Sequence, residues 1–404
     1  MADTRRGCAE TAPGTREHPP GIDIKPSEKH GDAHEKHKDA PGETGIAGNR
    51  FFANFTNDNI LNRFFMTLAA AGLLSCTGTG QSAFDPASVA DASGEVTRVE
   101  PLSWWTGMQT PLQLLVNGAG IAAYDVRIEG GQGVGVKARH KADSPNYLFV
   151  DVEVQPDAEP GTYYLVFSQG ERQFKVPYEI AARAEGSVAR RSFTTADMIY
   201  LLMPDRFANS DASNDSTPHT RERADRSAFF GRHGGDLQGM IDHLDYIAGL
   251  GATAVWPTPL LLDDEPEGSY HGYACGDYYR IDPRFGSNEL YREFVGKAHD
   301  HGLKVIMDIV TNHCGTGHWW MKDLPFRDWI HQFPEYTGTN VCFSTNMDPN
   351  ASRYDLDLQE SGWFVPSMPD MNLDNPYVLQ YFKQWAVWWI EDAGLDGFRV
   401  DTYP

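Results

Sequence analysis

Residues 303–313 read LKVIMDIVTNH, an apolar stretch that closes on Asn312 and His313. Continuous apolar runs of this length suit strands buried on both faces. DMIYLLMPDRF (197–207), ATAVWPTPL (252–260) and LDGFRVDTYP (395–404) have the same character. Helical periods lie between them. Leu237, Met240, Ile241, Leu244, Ile247 and Ala248 form one stripe; Leu290, Phe294 and Ala298 begin a second. Val378, Tyr381, Phe382, Trp385 and Trp389 make a third, stopped by Gly394. Strand–helix alternation predicts a parallel sheet, either doubly wound or part of a TIM barrel. The strand ends favour the barrel. Asp205 and Arg206, then Tyr270, His271 and Tyr273, then Asn312 and His313, then Arg399 and Asp401 follow successive strands. No GxGxxG follows the first strand, which counts against a dinucleotide site.

Upstream, residues 95–183 carry PLQLLVNG, YDVRIEG, NYLFVDVEV, GTYYLVFSQG and RQFKVPYEI, separated by turn residues. Alternation with period two predicts an Ig-like β-sandwich. Trp104 and Trp105 could meet sugar there, but core packing is the better expectation for at least one.

The chain has 404 residues, 41% of them apolar, enough for two folded units plus tails. Its formal charge of −22 argues against nucleic acid, which needs a basic footprint. Five cysteines without CxxC spacing argue against a disulfide framework or zinc site; Cys275, Cys314 and Cys342 read as thiols, with one optional pair. Residues 1–59 are mostly polar and are expected to be disordered, with His30, His34 and His37 solvated. Within 61–80, LNRFFMTLAAAGLLSCTGTG has a charged start, an apolar centre and small residues. It is too short to span a bilayer, and a short buried helix is the alternative. Residues 60–76 thus read as a secretory signal, followed by a linker over 77–94. Translation is expected to start near Ile60.

Several blocks together resemble the α-amylase family of glycoside hydrolases (family 13), in its neopullulanase and cyclomaltodextrinase branch. They are DIVTNH (308–313), GFRVD (397–401), GGDLQGMIDHLDYIAGLGATAVW (234–256) and YHGYACGDYYRIDPRFGS (270–287). The resemblance runs from about residue 95 to the end. It implies the first half of a (β/α)8 barrel over 184–404, a domain B-like insertion over 314–372 after strand 3, and a retaining mechanism. LLSC similarly resembles a bacterial lipoprotein box with Cys76 as the lipidated residue, implying an extracytoplasmic, lipid-anchored protein. MPDMN (368–372) departs from the branch's usual MPKLN, which leaves α-1,4 against α-1,6 preference open.

Retaining glycosidases use two carboxyl groups about 5–5.5 Å apart, one attacking the anomeric carbon and one protonating the leaving oxygen. Asp401 is the candidate nucleophile, and Arg399, two residues back on the same face, can hold it ionised. A structural ion pair is the alternative for these two. Tyr273 can stack on the reacting ring, His313 can hydrogen-bond sugar hydroxyls, and His271 is a weaker candidate. Taken alone, His313 reads as a core histidine and Tyr273 as a lid residue. The family's general acid, a Glu on the fifth strand, has no counterpart here, so these 404 residues are expected to be inactive. A half barrel is also expected to leave open edges and an uncovered apolar interior.

NSDASND (209–215) gathers Asn209, Asp211, Asn214 and Asp215 in one loop, and Asp236 opens the next helix. Oxygen-rich sets suit Ca2+, while an Asx-turn loop is the alternative. By resemblance the site is a structural calcium site, with the carbonyl of Gly234 as a further ligand. The leading function is α-glucan hydrolysis on starch fragments, pullulan or cyclodextrins, with glycosyl transfer as a near neighbour. Its rival is a non-catalytic, transporter-associated barrel. A homodimer is implied by resemblance alone.

Overall fold

The computed structural model describes residues 95–340, 345 and 347–402. The expectations for 1–94, including Cys76, and for Cys342 lie outside the described residues. No helix among the described residues is long and apolar enough to cross a membrane.

The first strands are β1 (Arg98–Glu100), β2 (Ser103–Trp105), β3 (Leu112–Asn117), β4 (Asp125–Glu129), β5 (Val134–Lys141), β6 (Tyr147–Val154), β7 (Gly161–Gln169) and β8 (Arg172–Ala181). They form two four-stranded sheets, ordered β1-β3-β6-β5 and β2-β8-β7-β4. Pairing is antiparallel except for β2 against β8. Period-two burial is clear in β8, where Val176, Tyr178 and Ile180 are buried between half-exposed neighbours. Trp104 and Trp105 are both buried in the core, and Trp105 packs 6.4 Å from Trp388, which removes them as a sugar platform.

The second part runs β9 (Ile199–Leu202), α1 (Pro204–Phe207), α2 (Leu237–Asp242), α3 (Leu244–Gly249), β10 (Ala254–Pro257), β11 (Leu261–Leu262), β12 (Asp277–Ile281), α4 (Asn288–Asp300), β13 (Lys304–Ile309), α5 (Arg353–Ser361), α6 (Pro376–Ala393) and β14 (Gly397–Val400). β9, β10, β13 and β14 pair in parallel in chain order, while β11 and β12 form a small antiparallel ribbon. The register pairs Leu201 with Trp256 and Asp308 with Arg399. Alternation then puts Ile199, Leu201, Trp256, Asp308 and Arg399 on one face. Ile199 and Leu201 on that face are 41% and 51% exposed.

Helix boundaries follow local chemistry. Asn375 caps α6 by accepting from the Tyr377 N–H, Pro376 takes the first helical position, and Gly394 ends the helix at φ +79°. The single stripe expected over 237–248 is broken at His243. There the imidazole Nδ1 bonds the Gly239 carbonyl at 2.7 Å, competing with the helical ladder.

The two parts share a polar, buried seam. Arg98 Nη2 donates to Asp277 Oδ2 at 2.7 Å, and Tyr381 Oη donates to Glu100 Oε2 at 2.8 Å. Gln384 pairs with the backbone of Gln113 in both directions, at 3.0 and 2.7 Å, as an extra strand would. Burial pushes the Glu100 carboxyl up to about 7 despite Arg98.

Candidate active site

Asp401 follows β14 directly, its N–H donating to the Ile309 carbonyl at 2.8 Å, so the β13–β14 ladder fixes its place. One guanidinium nitrogen, Arg399 Nη1, donates to Asp401 Oδ1 at 2.5 Å and to Asp308 Oδ1 at 2.9 Å. Asp401 Oδ2 accepts no hydrogen bond among the described residues. Asp308 Oδ2 accepts from Trp256 Nε1 at 2.9 Å and from Tyr273 Oη at 3.0 Å. Burial raises the Asp308 carboxyl above the usual range, opposed by Arg399 and the neighbouring donors. Arg399 is held charged against its own partial burial by the same two carboxylates.

Tyr273 is half-buried with its ring 5.9 Å from the Arg399 guanidinium, beside the candidate nucleophile. His271 Nδ1 accepts from the Tyr273 N–H at 2.9 Å, so in the neutral ring Nε2 carries the proton. That side chain is 31% exposed, and burial lowers its basicity. His313 differs from expectation. It is fully buried, with Nε2 3.1 Å from the Tyr273 carbonyl, Nδ1 3.2 Å from Asn312 Oδ1 and Phe364 stacked over it at 5.2 Å. In this arrangement both nitrogens face protein rather than a sugar, and burial holds the ring down at about 4.

The segment 314–372 leaves β13 and returns beside it, through bridges His313–Asp370 and Ile330–Met371. Asp370, one of the two residues at which MPDMN departs from MPKLN, accepts from Asn312 Nδ2 at 2.8 Å and pairs with His331 Nδ1 at 2.7 Å. It anchors the returning segment to the strand end. Cys275 and Cys314 are buried free thiols.

The 209–215 loop folds against the start of α2. Asn209 Nδ2 donates to Asp215 Oδ1 at 2.6 Å, and Asp211 Oδ1 accepts from the Ser213 N–H at 3.0 Å. Asp236 caps α2 at the Gly239 N–H and also accepts from Ser210 and Asp211 N–H groups. Among the described residues no group of three or more His, Cys, Asp or Glu is poised to hold a metal. The loop does hold one unanswered oxygen, Asn214 Oδ1, shielded from solvent and without a partner. A Cβ on Gly234, at φ +86°, would stand 2.4 Å from Asp215 Oδ1. An oxygen-rich cradle with an unpaired acceptor fits a hard cation.

Residues 201–404 match the α-amylase catalytic domain. The chain belongs to the α-amylase family. Residues 98–184 match the cyclomaltodextrinase N-terminal domain. A cyclomaltodextrinase of Thermoanaerobacter pseudethanolicus is 36% identical over 221 residues, covering 52% of this chain and 35% of that protein. Neopullulanase 2 of Thermoactinomyces vulgaris is 35% identical over 226 residues, with 52% and 35% covered. The chain therefore spans about a third of the length of these relatives. Among solved structures, an α-amylase of Geobacillus thermoleovorans complexed with acarbose is 35% identical, covers 51% of this chain and 40% of its own, and has a TM-score of 0.40.

For this α-amylase-family chain, the sequence reading missed Asp308, Trp256 and Phe364. Asp308 was visible as the one carboxylate inside the apolar run 303–310. Phe364 carries no periodic or spacing signal, since only the return of its segment brings it over His313.

Proposed function

We propose that this chain carries the nucleophile of a retaining α-glucan hydrolase, on a half (β/α)8 barrel preceded by an Ig-like sandwich. The observation that carries the proposal is Arg399 Nη1 held between Asp401 and Asp308 at the ends of neighbouring parallel strands. A structural ion pair needs one carboxylate. Here a second one, itself anchored by Trp256 and Tyr273, fixes the guanidinium so that it aims the first.

The chemistry follows from the free oxygen. Asp401 Oδ2 bonds to the anomeric carbon as the bond from that carbon to the leaving oxygen breaks. Arg399 holds Asp401 by Oδ1 and so aims the carboxylate for attack. The Tyr273 ring covers the reacting sugar, and the Nε2 proton of His271 is available to a hydroxyl. A second carboxyl group must protonate the leaving oxygen. Asp308 cannot serve, because three donors already hold it as an acceptor. Water then releases the sugar; a glucan hydroxyl in its place gives transfer. Cyclic maltodextrins, the class in the name of a relative, are uncharged and offer C–H faces to the Tyr273 ring and hydroxyls to His271.

Ca2+ belongs to the same proposal as a structural ion. Asn209, Asp211, Asn214, Asp215, Asp236 and the Gly234 carbonyl would hold it, supported by the unpaired Asn214 oxygen. Bound there, it would supply positive charge that ties the loop after β9 to α2. An extracytoplasmic, Cys76-anchored location and a homodimer complete the reading.

The test is covalent trapping. A 5-fluoro-α-glucosyl fluoride should add one sugar mass to the peptide containing Asp401 in the full chain. The Asp401→Asn variant should stay unlabelled. Label on another residue would overturn the assignment, and no label on any residue would favour the non-catalytic rival.

A further inference from the structure

Phe229 and Phe230 are 82% and 68% exposed, with rings perpendicular at 4.8 Å between centroids. Leaving Phe side chains in water forfeits the stabilisation that burial would return, so two adjacent exposed rings call for a reason. The backbone below them is firmly built. Asp225 and Ala228 N–H groups donate to Arg232 and Asp225 carbonyls at 2.9 and 3.2 Å, and Gly231 N–H donates to Ala228 at 3.1 Å. Arg206 Nη2 donates to the carbonyls of Phe229 and Gly231 at 3.2 and 2.8 Å, and His233 Nε2 bonds that of Ala228 at 3.1 Å. A Cβ at Gly231 would lie 2.9 Å from the Asp225 carbonyl oxygen, so the turn that lifts the two rings needs glycine.

A chain of contacts also joins the segment that carries the rings to Asp308, the carboxylate that anchors Arg399. Arg206, which grips the Phe229 carbonyl, lies 4.2 Å over the Tyr270 ring. Tyr270 is 5.6 Å from His271, and His271 is 5.8 Å from Tyr273, whose hydroxyl reaches Asp308. Both ends sit on loops that follow strands of the parallel sheet, β9 for the Phe pair and β10 for Tyr270–Tyr273.

We propose that Phe229 and Phe230 form an outer platform for the pyranose rings of a linear α-1,4-glucan, several units from the bond that is cut. This rests on the α-glucan reading above. Glucose rings present apolar C–H faces that stack on aromatic faces, and the corner between two perpendicular rings offers one such face and one edge. A protein partner is the weaker occupant. Two Phe side chains offer at most about 300–500 Å2, against about 800 Å2 per side in a stable interface.

The experiment is calorimetric titration of the full chain with maltose and with maltoheptaose, for wild type and for Phe229→Ala/Phe230→Ala. Both rings are exposed, so the variant should keep its melting temperature. Support is a loss of about fivefold or more in maltoheptaose affinity with maltose affinity unchanged. Unchanged maltoheptaose affinity overturns the inference and leaves the α-glucan reading standing. Loss of self-association without loss of glucan affinity also overturns it, and assigns the rings to a second copy. If wild type binds neither sugar, the inference falls together with the reading on which it rests.

Discussion

Phe364 lies over His313 with 13° between the ring planes and 5.2 Å between centroids. Phe364 itself is 45% exposed, so one residue from the returning segment separates the imidazole from solvent. The His313 ring titrates near 4 because it is buried, against an ordinary value of 6.5. Between those values the unfolded chain binds the extra proton, so stability conferred here is complete above pH 6.5 and lost as pH falls toward 4. Phe364→Ala should expose the ring and move its titration up toward 6, read by NMR of the His313 ring carbons. A titration still near 4 would show that Phe364 is not the cover.

Asp308→Asn removes the carboxylate that fixes Arg399 from behind. The guanidinium would keep Asp401 but lose its anchor, and the Trp256 and Tyr273 donors would face an amide. Breaking such a buried pair should cost about 3 kcal/mol in urea unfolding. Trapping of the glucosyl fluoride should slow by about a hundredfold while labelling stays on Asp401. Full trapping speed would show that Asp401 is aimed without Asp308.

Glu100 gives the seam between the two parts a pH dependence. Its carboxyl titrates near 7 in the folded protein and near 4.5 when exposed. Between these values the folded state holds the extra proton, so this contribution is complete below pH 4.5 and fades as pH rises through 7. The loss amounts to about 3 kcal/mol. Asp277 is held below its ordinary range and contributes only at more acid pH, outside this window. Thermal melts from pH 5 to 8 should show the fall, and Glu100→Gln should flatten it. An equal fall in the variant would place the pH dependence elsewhere.

Calcium should stabilise the loop between β9 and α2. At a concentration of one hundred times Kd, one bound ion adds about 2.7 kcal/mol. Melting of the full chain in EDTA and in calcium should therefore differ by several degrees. Asn214→Leu, which removes the unpaired oxygen, should shrink that difference. Equal melting temperatures in both buffers would leave the loop as a set of Asx turns.

Much of this was legible from patterning. The four apolar runs became β9, β10, β13 and β14, although only β10 and β13 are covered along most of their length. β5 was missed because it is an edge strand with no fully buried residue, and β1 and β2 because three residues hold no period. Arg399 and Asp401 were readable together, since alternation puts residues two apart on one face. The cover on His313 was not readable, because it depends on how the chain between 314 and 372 folds back. Asp308 sat between these cases: its position was plain, but its three donors come from β10, β14 and the loop before β12.

The pairing of Glu100 with Tyr381 also has a meaning in time. The two residues are 281 positions apart, so a ribosome making roughly 5–20 residues per second needs roughly 15–60 s to pass from one to the other. Arg98 waits for Asp277, 179 positions on, and Glu100 waits longer still, for Tyr381. The first-made module must therefore mature alone and hydrated, then shed its water when the helix carrying Tyr381 arrives.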